Sequence, residues 1–127
     1  MKIYKTRWFS RWQKKEKLQD NLLFEAVKGA QKGLFEAELG GGLIKKRIAR
    51  EGSGKRSGYR TLLATNKGSK WFFIYGFAKN ERENIDEKEL ISFKELSETL
   101  LILPAAELKA ALKDKALIEV KYDEQKK

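Results

Sequence analysis

The sequence predicts one α+β domain, an antiparallel sheet with helices from the two ends of the chain packed on one face. Three observations carry this. The chain has 127 residues, enough for one sizeable core and too few for two ordinary ones, so residues 1–127 are read as a single domain. Three β-type runs, 43–50, 59–66 and 71–78, follow one another across short turn segments, which implies an antiparallel meander. On either side of these runs, apolar residues recur at helical spacing.

Taken in order, residues 2–9 alternate loosely around Ile3, Tyr4, Trp8 and Phe9 and read as a strand running into a short helix near 11–18. Asp20 is the expected N-cap of the next helix, whose Leu23, Ala26, Val27 and Ala30 form one apolar stripe. Gly33 is a natural stop for it. Gly40, Gly41 and Gly42 mark a turn or backbone crossing before the next strand. In residues 43–50, Ile44 and Ile48 share one face and Lys45 and Arg47 the other, with Lys46 on the isoleucine face as an unexplained mismatch. Residues 71–78 are apolar on both faces and therefore belong in the middle of the sheet. Asp86 followed by Glu89 has the form of a capping box, opening a helix with Leu90, Phe93, Leu96 and Leu100 on its apolar face. Pro104 suits the first turn of a further helix that buries Leu108, Ala111 and Leu112. Residues 116–120 read as a small edge strand, and 121–127 as a frayed end. No repeat or linker interrupts the chain.

Composition removes whole classes of chemistry. With no Cys and no His, the chain has no disulfide, no Cys- or His-ligated metal, no cysteine nucleophile and no histidine base. The first residues are broken by cations before a signal-type apolar run can form, and the longest apolar runs are far shorter than a membrane span, so the cytoplasm is the expected compartment. The net charge of +10 is concentrated: residues 1–60 hold 16 Lys+Arg against 6 Asp+Glu, and residues 61–127 hold 12 of each. Residues 2–17 and 45–60 each contain seven cations and one acid. Two such clusters point to a polyanionic partner.

Two nucleotide motifs fail. The segment Gly52-Ser53-Gly54-Lys55-Arg56-Ser57-Gly58 lacks the glycine and the Ser/Thr that a P-loop requires, because Ala49 and Arg56 stand there. Its glycine spacing also misses the dinucleotide pattern, and it joins two strands. The acids Glu81, Glu83, Asp86, Glu87 and Glu89 are explained by helix capping rather than by a metal, so no metal or other cofactor is expected.

What remains is a set of cations on adjacent strands: Lys45 and Arg47, Lys55 and Arg56 on the Gly/Ser loop, Arg60, and Lys79 and Arg82 after the central strand, with Tyr59 and Tyr75 beside them. Such a surface suits single-stranded RNA, with Lys and Arg on phosphates and rings stacking bases. It also suits RNA cleavage without metal or histidine. A Lys crowded by cations has its charged form disfavoured and serves as base for the ribose 2′-OH, while Arg meets the charge that accumulates on the phosphoryl oxygens. Trp71, Phe73 and Phe77 are read as core.

At these residues the chain resembles the RelE/HigB superfamily of bacterial type II toxins, in its HigB-like branch. The stretches that carry the resemblance are Leu43-Ile44-Lys45-Lys46-Arg47-Ile48-Ala49, Gly58-Tyr59-Arg60 and Tyr75-Gly76-Phe77-Ala78-Lys79-Asn80-Glu81-Arg82. It implies a RelE-like small domain with a curved sheet over about residues 1–100 and a helical C-terminal extension over about 104–120. It further implies a ribosome-dependent, metal-independent mRNA endonuclease, neutralised by a cognate antitoxin, often of helix-turn-helix type. By motif, Lys45 and Arg47 correspond to a strand pair with base and phosphate roles, Arg60 to a transition-state stabiliser, and Lys79 to a basic position after the last strand. Lys55, Arg56, Tyr59, Tyr75 and Arg82 are the expected RNA contacts. Two positions depart from the prototype, with Asn80 in place of an active Arg and Asp86 near its C-terminal Tyr.

Two other readings fit the same scaffold: a ParE-like inhibitor of DNA gyrase, and an RNA- or ribosome-binding module without catalysis. The cationic set Lys45, Arg47 and Arg60 speaks against the first. The second predicts binding that weakens with salt while the RNA stays intact.

Overall fold

The computed structural model describes residues 1–49 and 58–122. In chain order these form β1 (Lys2–Thr6), α1 (Arg7–Glu16), α2 (Asp20–Gln31), β2 (Ala37–Gly40), β3 (Leu43–Ile48), β4 (Tyr59–Thr65), β5 (Lys70–Ala78), α3 (Glu87–Leu101), α4 (Ala105–Lys113) and β6 (Leu117–Glu119). The strands make one open sheet in the order β2-β3-β4-β5-β1-β6. The α+β class and the meander β3-β4-β5 agree with the sequence reading. The expected turn at 51–58 and the frayed end lie, but for Gly58, Lys121 and Tyr122, outside the described residues.

Besides gaining the edge strand β2, which the sequence reading does not assign, the sheet differs from expectation in two respects. First, β1 runs parallel to β5, with Ile3 opposite Trp71 and Lys5 opposite Phe73. The long excursion through two helices and three strands between them permits a parallel pairing that a hairpin could not make. Second, helices cover both faces rather than one. Ile3, Phe9, Leu23, Val27, Leu63, Trp71 and Phe73 form a core under α1 and α2. Tyr4, Leu43, Leu62, Phe72, Ile74, Leu100 and Leu108 form a second core under α3 and α4. The physical reason is in β5 itself, whose apolar residues on both sides require cover on both sides.

A bulge in β5 decides what faces where. Leu63 pairs with Phe73 but Leu62 pairs with Tyr75, so Ile74 is the extra residue. Before the bulge, Trp71 and Phe73 point to α1 and α2. After it the phase reverses, and Tyr75 and Phe77 lie on the α3 side with Arg60 and Leu62, while Gly76 lies under Trp12. A Cβ on Gly76 would stand 2.4 Å from a Trp12 ring carbon. Gly76→Ala is therefore expected to displace Trp12 and lift α1, at a cost of about 1–3 kcal/mol by urea denaturation. An unchanged midpoint would contradict this packing.

Local chemistry accounts for the helix ends. α1 begins four residues earlier than expected because the Thr6 side chain accepts from the Phe9 N–H and caps it. Asp20 is not a cap. Gln19 occupies that position, and the Asp20 carboxylate instead joins Lys5, Gln13 and the Lys121 N–H in a mostly buried cluster. Asp86 and Glu89 make the expected capping box. Pro104 stands one residue before α4, at its N-cap.

Candidate functional site

The cations lie on the α3 side of the sheet. Arg47 on β3 is the register partner of Arg60 on β4, and Lys45 that of Leu62. Arg60 in turn faces Phe77 and Leu62 faces Tyr75 on β5. Since paired residues share a face, Lys45, Arg47, Arg60, Tyr75 and Phe77 line one surface. Arg47 also packs on the Gly-Tyr-Arg element, its Nε lying 3.5 Å from where a Gly58 Cβ would stand.

Arg60 is the most enclosed of these cations, 7% exposed. Its Nε is 2.8 Å from Glu36 Oε1, while its Nη1 is buried and has no hydrogen-bond partner among the described residues. Two guanidinium side chains opposite each other on neighbouring strands repel. The arrangement favours an anion on this surface. Lys45 reaches Asn84 Oδ1 at 3.5 Å. Lys79 is exposed just past β5, its N–H bonded to the Gly58 carbonyl.

Arg82 is organised from α3. Its Nη2 and Nη1 donate to the two Glu89 carboxylate oxygens at 2.6 and 3.0 Å, and Nη1 also donates to Tyr75 Oη at 3.1 Å. The guanidinium lies over the Phe77 ring, 5.7 Å from its centroid. The Arg82 hydrogen bonds hold the Glu89 carboxyl below its usual range, with a further contribution from the Asp86 N–H. Glu89 in turn raises the Arg82 value, so the pair is ionised throughout the working range.

Several expected site residues stand elsewhere. Tyr59 is 2% exposed and sits in the α1/α2 core with its ring edge-on to Trp12, so it is not a stacking surface for a base. Its strand phase puts it opposite Arg60, and hydrophobic burial claims it. Tyr75 is on the cationic face, but its ring stacks on Trp8 at 4.4 Å and on Phe93 at 4.8 Å. Lys55 and Arg56 lie outside the described residues. Among the described residues Lys46 is the lysine whose pKa is lowered, by burial and against the attraction of Glu36, rather than by crowding cations. It belongs to the opposite face, where its Nζ donates to the Leu34 carbonyl at 2.6 Å, which resolves its mismatch among the isoleucines.

Glu36, Asn84, Glu89 and Trp8 are parts of the site that the sequence reading missed. For Glu36 a signal existed. Phe35, Ala37 and Leu39 alternate with Glu36 and Glu38, the period of a strand.

The chain matches, over residues 1–120, the family described as RelE toxin of the RelE / RelB toxin-antitoxin system. It belongs to the RelE toxin family. This RelE-family chain is accordingly a type II toxin, and its partner class is an antitoxin. No curated protein matches it. Among the described residues no helix is long and apolar enough to cross a membrane.

Proposed function

We propose that this toxin is a ribosome-dependent, metal-independent mRNA endonuclease of the HigB-like branch, acting in the cytoplasm and neutralised by a helix-turn-helix antitoxin. The observation that carries the cleavage reading is the opposed pair Arg47 and Arg60, with the Arg60 Nη1 donor unengaged among the described residues, beside Lys45. Lys45 takes the proton from the ribose 2′-OH, which attacks the adjacent phosphorus. Arg47 holds the phosphate. Arg60, steadied by Glu36, donates to the non-bridging oxygen where charge builds up. Lys79 returns a proton to the departing 5′-oxygen, and the products are a 2′,3′-cyclic phosphate and a 5′-hydroxyl. Arg82, tied to Glu89 and Tyr75, positions the aromatic side of the surface and contacts RNA through its remaining edge, with Lys55 and Arg56 adding phosphate contacts.

The scaffold also supports gyrase inhibition, and one experiment separates the two. Induced expression followed by transcriptome-wide 5′-end sequencing is expected to show new ends inside translated frames while plasmid supercoiling is unchanged. Altered supercoiling without new ends would overturn the nuclease reading.

A further inference from the structure

An apolar groove borders the cationic surface and takes no part in the cleavage chemistry. It is lined by Thr6, Trp8, Ile74, Tyr75, Phe93 and Leu96 and has a volume of about 340 Å³. Trp8, second residue of α1, is 44% exposed. Its indole is not loose. It stacks on Tyr75 with planes 25° apart, Tyr75 stacks on Phe93, and the Tyr75 hydroxyl is held by Arg82.

The fold explains this placement. β1 ends at Thr6, whose hydroxyl donates to the Ile74 carbonyl at 3.2 Å. Beyond that point α1 takes the place of β1 beside β5, with Trp8 reaching Tyr75 on the cationic side and Trp12 lying over Gly76 on the other. Trp8, Arg11 and Lys15 fall at i, i+3 and i+7, one stripe of α1, and the Trp8 ring also lies parallel to that of Trp12 with centroids 6.5 Å apart. Arg11 and Lys15 are exposed. The groove meets the cationic residues at Tyr75, whose hydroxyl accepts from Arg82; the Arg82 guanidinium lies over Phe77, the register partner of Arg60.

We infer that Trp8 is a base-stacking platform, and that the groove takes one unstacked base of single-stranded RNA while Arg11 and Lys15 follow the neighbouring phosphates. This rests on the reading of the chain as an RNA-cutting toxin and adds a substrate contact outside the cleavage residues. The occupant follows from size, shape and charge. The groove is too small for an amphipathic helix, a flat ring preset by rings behind it matches the π-face of a base, and the adjoining stripe is cationic.

The test uses the full chain and an uncleavable 2′-O-methyl RNA oligonucleotide, with single abasic sites placed at successive positions and affinity read by fluorescence anisotropy. At one position, loss of the base is expected to weaken wild-type binding roughly tenfold. The same abasic site should cost Trp8→Ala almost nothing, and Trp8→Phe an intermediate amount. Because two oligonucleotides are compared on one protein, a loss of stability in the variant does not imitate this coupling. Equal abasic losses in wild type and Trp8→Ala would overturn the platform. The cleavage reading would survive that result if Arg60→Ala still weakened binding. Wild-type protein that does not bind the oligonucleotide would overturn the platform, and one that also yields no mRNA ends would overturn both. Unchanged coupling together with loss of antitoxin capture by Trp8→Ala would assign the groove to a protein instead.

Discussion

Arg60→Ala is expected to abolish growth inhibition while leaving the fold intact. Removing one preorganised donor to a developing oxyanion typically costs on the order of 10²–10³ in rate. The structural cost is smaller than the burial of Arg60 implies. Its partner Glu36 keeps 38% side-chain exposure and remains solvated when the guanidinium is gone, and the repulsion with Arg47 disappears at the same time. Arg60→Lys tests the same point more finely. Engaging Glu36 through Nε while presenting Nη1 elsewhere requires a planar fork, which an ammonium does not have. The Lys variant should therefore recover only a small part of the activity. Counts of new mRNA 5′-ends at matched expression, with circular dichroism melts as the fold control, provide the measurement. An Arg60→Ala protein as toxic as the parent would remove Arg60 from the chemistry.

The parts of this molecule legible in the sequence are those set by local periodicity and local capping. The Leu23–Ala26–Val27–Ala30 stripe, the Asp86–Glu89 box and the shared face of Lys45 and Arg47 depend on neighbours within one helix turn or one strand repeat, and all three stand as read. The parts that were not legible depend on where a strand breaks its own rhythm. Simple alternation along residues 71–78 puts Trp71, Phe73, Tyr75 and Phe77 on one face. The extra residue at Ile74 sends the last two to the other, and nothing in an unbroken apolar run marks the position of a bulge. The second core was within reach, since a strand apolar on both sides already demands two layers of cover. Asp20 illustrates a different limit. Its position before an apolar stripe is that of a cap, but tertiary partners from residues 5 and 121 outweigh that local preference.

Asp20 also carries the largest expected loss of stability. Lys5 has a side chain only 9% exposed, and its Nζ donates to Asp20 Oδ1 at 2.9 Å and to Gln13 Oε1 at 2.7 Å. Gln13 Nε2 donates to the same Asp20 oxygen at 2.7 Å, and the Lys121 N–H donates to the other at 2.7 Å. Burial alone would raise the Asp20 pKa, but hydrogen bonds from Gln13, Lys5 and Lys121 together outweigh it and hold the carboxyl below its ordinary 3.8. Asp20→Ala strands the Lys5 ammonium in a nearly buried position and unties the segment at Lys121 from the start of α2. Breaking one side of a buried pair costs about 3–5 kcal/mol, and the partial exposure of Asp20 argues for the lower end. The sign of the pH dependence follows from the depressed value. The folded chain releases the Asp20 proton more readily than the unfolded chain, so this contribution is complete above the unfolded value near 3.8 and is lost as pH falls through the lower folded one. Urea denaturation at pH 7 should therefore separate wild type from Asp20→Ala by about 3 kcal/mol, and the gap should narrow as pH falls below 3.8 and the carboxyl becomes protonated. A gap of the same size at both pH values would mean that the charge on Asp20 contributes nothing and that the variant loses only packing.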